Sequence, residues 1–283
     1  MTIEQLSDKA IISDIVLLFF SCYHRSMIHL PKVQFVELPI EMEKEFFFNF
    51  LFKSDMSKYV TKRHPKLKKI LSIKSDIERK KIISDYISEY RKKNSKIIKK
   101  HIVKYEKAWK KIEKPFFLEL SNIIDMQWPK NQKIIKAYIS INSICPRFLD
   151  DWSFTMYYNY PDIKEAMEII MHECCHFLYF EKWKKVFPRM NRNKFESPHI
   201  EWQLSEIIAP IILNDTRIQK LLKTRAKFYE EYENIKIGDI SIADYFSKLY
   251  KANINKTNFE NILRKSYKEI NNIKNNFVES IDI

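Results

Sequence analysis

His172-Glu173-Cys174-Cys175-His176, the pattern H-E-x-x-H, lies inside an apolar run that opens at Asp162-Ile163 and fades near Pro188. Histidines four apart on an α-helix stand one above the other, so both imidazoles can converge on a single ion. Glu173 follows His172 about 100° round the helix, which sets its carboxylate beside such an ion, within reach of a proton on bound water. The surrounding residues predict the helix itself. Asp162 and Glu165 have the spacing of a capping pair, and Ile163, Ala166, Met167, Ile170, Cys174, Phe177 and Leu178 form a stripe to be buried. His172, Glu173 and His176 fall beside that stripe, so the core is expected on one flank and an open metal face on another.

Upstream, Ile135, Ala137, Ile139 and Ile141 alternate with Lys136, Tyr138, Ser140 and Asn142, the period of a strand buried on one face. After a loop through Cys145-Pro146, residues 152–160 read as a second strand, ended by Pro161. This order suits an edge strand for substrate beside a metal-bearing helix. Downstream, a loop over residues 189–198 leads to a second apolar helix over residues 199–210, with three acids in or near it: Glu196, Glu201 and Glu206.

The rest of the chain reads as mostly helical. Residues 1–55, including the aromatic run 46–52, are expected to be helix packed on the core, with a strand as the alternative that the aromatic density permits. Residues 58–114 form two basic amphipathic helices or one long bent one, started by Ser75 with Glu78 and ended by Pro115. After Asp215 the chain is helical again until Gly238 breaks it, and Ser241 and the Thr257/Glu260 pair start two further helices. The expected fold class is α+β, predominantly helical, with a small β-sheet packed on the H-E-x-x-H helix. Three regions follow, 1–114, 115–215 and 216–283, able to pack as one domain.

Composition excludes several function classes. A single glycine, Gly238, in 283 residues rules out the Gly-rich phosphate loops of nucleotide-binding folds. The formal net charge of +14 invites a polyanion as partner, but its lysines are scattered among isoleucine and asparagine. Those near Lys66, Lys68, Lys69, Lys99 and Lys100 read as a solvated helix face, and no nucleic-acid-binding signature accompanies them. Cys22, Cys145, Cys174 and Cys175 have no paired spacing, which points to reduced thiols in the cytoplasm. Residues 15–20 are too short and too close to Asp14 for a membrane span, and read as a core element; no signal-peptide pattern surrounds them.

On these residues the chain resembles the zincins, the H-E-x-x-H metallopeptidases, and is similar among them to the gluzincins, over residues 133–215. The resemblance implies Zn2+ held by His172, His176 and a glutamate from the following helix, with Glu173 as general base in the hydrolysis of a peptide or protein substrate. Tyr179 and Lys182 stand where a metzincin has glycine and its third histidine, so that branch is excluded. Among the acids, Glu196 lies at a separation known from several gluzincins but beside Ser197-Pro198 in a loop. Glu206 lies inside an apolar helix, where an unpaired carboxylate costs several kcal/mol and wants a cation, which favours it. Pro210 cannot donate to the Glu206 carbonyl, so a kink is expected there. It also replaces the acid that usually follows the ligand by four residues. Glu201 and Cys145 stay open as third ligands, Cys145 in the manner of a deformylase. His199 is the nearest candidate for stabilising an oxyanion, with Tyr179 behind it. The rival expectation is a non-enzymatic basic protein that binds nucleic acid or a protein through residues 58–114.

Overall fold

The computed structural model describes residues 29–273. The alternating residues 135–141 become β2 (Ile134–Ser140) and the aromatic run after them becomes β4 (Ser153–Tyr157). These two strands are parallel, with Ala137 opposite Phe154. A parallel pair cannot close through a tight hairpin. The connecting chain instead forms the short β3 (Arg147–Phe148), which runs antiparallel to β4 at the edge of the sheet.

On the other side of β2 lies β1 (Lys32–Glu37), parallel to it with Phe35 opposite Ala137. This corrects the helix expected over this part of residues 1–55, while the aromatic run, for which a strand is the alternative, is helix. Among the described part of that region only α1 (Ile40–Phe52) meets the helical expectation, and it carries the aromatic run. The chain between β1 and β2 is the crossover that parallel pairing requires. It comprises α1, α2 (Ser57–Arg63), a 3-10 segment (Pro65–Ser72), α3 (Asp76–Trp109) and α4 (Glu113–Ile124). Ser140 and Asn142 are buried as well as the isoleucines, so the far end of β2 is covered on both faces and not on one. The cause is Glu43 of α1, which accepts from the Ser140 hydroxyl and from the Ile141 N–H and is paired with Arg91 of α3.

Helix α3 is one continuous helix, capped by Ser75, whose hydroxyl accepts the Glu78 N–H at 3.4 Å. It stops at Trp109. Pro115 does not end it, but sits in the first turn of α4, where a missing N–H leaves no bond unmade. Lys92, Lys93, Lys96, Lys99, Lys100, Lys104 and Lys107 are all exposed on α3.

Beyond the sheet follow α5 (Ile163–Val186), a 3-10 turn (Arg192–Phe195), α6 (Ile200–Leu213), α7 (Thr216–Leu222) and α8 (Glu230–Asn234). Gly238, at φ 59°, turns a hairpin of β5 (Lys236–Ile237) and β6 (Ile240–Ser241), which leads into α9 (Ile242–Asn253) and α10 (Phe259–Asn272). Ser241 caps α9 as expected. The cap of α10 is Asn258 and not Thr257, because the Asn258 side-chain oxygen accepts the Asn261 N–H at 3.0 Å.

A single hydrophobic cluster extends from Val33 to Ile270, across both expected region boundaries. Among the described residues no helix is long and apolar enough to cross a membrane. The expected core element at residues 15–20 lies outside the described residues.

Candidate metal centre

Helix α5 begins where the capping pair predicts, Asp162 accepting the Lys164 N–H at 3.0 Å, and ends at Val186. It is the central element of the fold, packed by β4, α3, α4, α6, α7 and α10. Met171, Glu173, Cys174, Cys175, His176, Phe177, Leu178, Tyr179 and Phe180 are all buried. The expectation of one buried flank and one open face is therefore corrected: α6 and β3 cover the histidine face. Helix α6 is itself buried from Gln203 to Leu213 and runs through Pro210 without interruption.

Where α5 and α6 meet, His172, His176 and Glu206 converge, each offering one ligand atom, all within 4.8 Å of one another. The His172 and His176 Nε2 atoms are 2.9 Å apart, and the Glu206 carboxylate lies 3.1 Å from the first and 3.4 Å from the second. Two imidazole nitrogens that close share one hydrogen or one cation. Arg147, on the edge strand β3, reaches into the same cluster, with Nη1 3.5 Å from Glu206 Oε1 and 3.7 Å from Glu173 Oε2.

The electrostatics follow from burial and these neighbours. Burial disfavours the charged form of His176 and Arg147 adds repulsion, so its pKa is pushed down to about 3 and the imidazole is neutral, the form that ligates a metal. Burial acts on His172 in the same sense and is the largest single effect, but the hydrogen bond to Glu206 and the charges of Glu206 and Glu173 together outweigh it and raise its pKa. Burial works against ionisation of Glu206, yet the two imidazoles hold it well below the usual carboxylate range. Glu173 is pushed up to about 7, chiefly by burial, with His172 and Arg147 pulling the other way.

No protein-family model, curated protein or solved structure matches this chain.

The remaining sequence candidates are placed elsewhere. Glu201 is buried in the first turn of α6 and accepts from the Tyr267 hydroxyl of α10 at 2.8 Å. Glu196 is exposed at the end of the 3-10 turn. The Cys145 thiol lies 3.4 Å from the Tyr160 hydroxyl, and burial pushes its pKa up to about 11. His199 is the half-exposed N-cap residue of α6, and its side chain makes no hydrogen bond among the described residues. Tyr179 is buried against Phe180, Trp183 and Phe259, with its hydroxyl unpartnered. Arg147 is the residue that sequence reasoning missed. It follows Cys145-Pro146 in a strand of two residues, too short for any periodicity to mark.

The donor set, two imidazole nitrogens and one carboxylate oxygen, fits a divalent cation and is not specific to zinc. Buried polar atoms without partners point the same way. His176 Nδ1, Glu173 Oε2 and Arg147 Nε all lack a hydrogen-bond partner among the described residues, Glu173 Oε2 having only the long ion-pair contact with Arg147, an excess over the usual satisfaction of buried groups. One feature departs from well-built zinc sites, where the second ring nitrogen of each histidine donates to a neighbour. Among the described residues nothing accepts from His176 Nδ1.

Proposed function

We propose that this chain is a zinc-dependent peptidase that hydrolyses peptide or protein substrates, with His172, His176 and Glu206 as metal ligands and Glu173 as general base. The observation that carries the reading is the convergence of those three side chains from two helices, with Glu173 next to His172 on the ligand helix. When bound, zinc supplies Lewis acidity, which polarises a carbonyl and makes water a better nucleophile at neutral pH. Glu173 would take the proton released in the attack and return it to the leaving amine. Burial of Glu173 and Glu206 excludes bulk water, so charges act there through a low dielectric. The free thiols of Cys145, Cys174 and Cys175 fit a reducing, cytoplasmic setting for this activity.

Metal analysis of the full chain after incubation with zinc and desalting tests this. Wild type and Glu173→Gln are expected to hold one zinc each, His176→Ala none, and only wild type to cleave a fluorogenic peptide pool. Wild-type protein that takes up no zinc sinks the proposal.

A second reading has one observation in its favour: Arg147 stands between the two glutamates, so the cluster carries its own cation. In that reading the site is a self-neutralised polar knot with a structural role, and it predicts no metal uptake.

A further inference from the structure

Arg147 is held by the fold in an unusual way for an ion-pair partner. Its side chain is 6% exposed, yet both carboxylate contacts, at 3.5 and 3.7 Å, exceed the 2.7–2.9 Å of a strong charge-assisted hydrogen bond. Its Nε is buried and has no acceptor among the described residues. The guanidinium carbon lies 5.5 Å from the Phe180 ring centroid, and only Nη1, in a long bond to Glu206, is engaged with either glutamate. Among the described residues no other lysine or arginine lies within ion-pair distance of Glu173 or Glu206.

We infer that Arg147 is the electrophilic catalytic residue of this site, donating to the carbonyl oxygen of the scissile peptide as that oxygen becomes an oxyanion. The inference rests on the peptidase reading above. Three further observations favour it. Arg147 lies on β3, the edge strand of the sheet, whose only strand partner among the described residues is β4, so this is the edge at which an extended peptide would add. Its contact with Glu173 places it against the group that faces the attacking water. Of the donors the sequence offered, Tyr179 packs in the core, Cys145 is engaged with Tyr160, and His199 makes no side-chain hydrogen bond to the cluster among the described residues.

The step balances without any further reactant. Water adds to the carbonyl carbon and loses one proton to Glu173, while the π pair of the C=O bond moves onto the oxygen, where the Arg147 N–H groups receive it. That pair then returns, the C–N bond breaks, and the leaving nitrogen takes the proton from Glu173. One water is consumed, and a carboxylic acid and an amine are released. A buried guanidinium stabilises the charge that develops, and loss of one such donor lowers kcat about 100- to 1,000-fold.

The test uses the full chain loaded with zinc, as wild type, Arg147→Met and Arg147→Lys, with zinc content measured on each. Equilibrium dialysis compares a randomised phosphinic tripeptide pool, whose tetrahedral oxyanion copies the charge of the addition step, with a matching pool of ordinary amides. Wild type is expected to prefer the phosphinic pool at least 100-fold, Arg147→Met to lose most of that preference, and Arg147→Lys to lose about tenfold, since a point charge cannot replace the guanidinium fork. On the fluorogenic pool, kcat falls while KM changes less than threefold. Zinc content stays at one per chain in all three proteins. Retention of the wild-type preference in Arg147→Met overturns the assignment, as does a zinc-loaded wild type with no preference. If Arg147→Met fails to fold, a wild-type preference in Arg147→Lys overturns it equally. A wild type that binds no zinc removes the peptidase reading first, and the Arg147 assignment with it; the separate metal measurement tells the two failures apart.

Discussion

Replacing Tyr267 by Phe removes one hydroxyl from α10 and strands a charge. That hydroxyl donates to Glu201 Oε1 at 2.8 Å; Glu201 is 4% exposed, and its other oxygen has no hydrogen-bond partner among the described residues. Burial, then the Glu201 carboxylate, push the Tyr267 pKa up to about 12, so the hydroxyl stays a donor throughout the neutral range. A hydrogen bond to a charged group contributes about 1.5–3 kcal/mol, and a buried carboxylate without a donor keeps its desolvation penalty, so Tyr267→Phe is expected to cost about 2–3 kcal/mol. Glu201→Gln still accepts from the hydroxyl and removes the charge, and should cost about 1 kcal/mol or less. The double variant Tyr267→Phe/Glu201→Leu leaves no polar group behind and should return to within about 1 kcal/mol of wild type. Urea unfolding measures all three, as a shift of the midpoint at constant slope. Because Glu201 faces α10 and lies outside the His172–His176–Glu206 cluster, zinc uptake should be the same in every one. A Tyr267→Phe cost below about 0.5 kcal/mol refutes the reasoning about the stranded charge, and a fall in zinc uptake in Glu201→Gln refutes the placement of Glu201.

Glu206→Gln is expected to weaken zinc binding at least 100-fold, and Glu196→Gln less than threefold, since only the first carboxylate meets the imidazoles; chelator competition reads both. His64 is buried between Phe47, Tyr86 and Tyr90, bonded to the Tyr86 hydroxyl at 2.9 Å and the Ile141 carbonyl at 3.0 Å. Burial is the chief cause that lowers its pKa, with Arg63 adding to it, so below its ordinary 6.5 the unfolded chain takes up a proton that the folded chain refuses. Stability should therefore fall as pH drops from about 6.5, by up to about 1.4 kcal/mol per unit, and the slope should flatten in His64→Gln when urea midpoints are compared across pH. Gly238→Ala places a Cβ where nothing lies within 4 Å, at φ 59°, so its cost is backbone strain alone, about 1 kcal/mol in thermal or urea unfolding.

What could be read along the chain was what depends on near neighbours. Asp162, Ser75 and Ser241 cap the helices they were expected to cap, because a cap needs only a side chain and an N–H two or three residues on. The alternation around Ala137 predicts β2, and the polarity of Glu206 within an apolar helix sets it apart from Glu196 for the same local reason. Where two local choices were nearly equal, as between Thr257 and Asn258, sequence spacing chose the wrong one.

The sequence by itself determined that His172 and His176 share a face, since helical geometry places residues four apart together in any surroundings. Only the tertiary structure decided what that face meets. β1 joins the sheet by pairing with a strand on the far side of four helices, and Arg147 enters the cluster from an edge strand of two residues. The partner of Glu201 lies on the last described helix. None of these leaves a local pattern, because each depends on which distant surfaces pack together, and a contact of that kind is set by the whole core and not by the spacing of any one stretch.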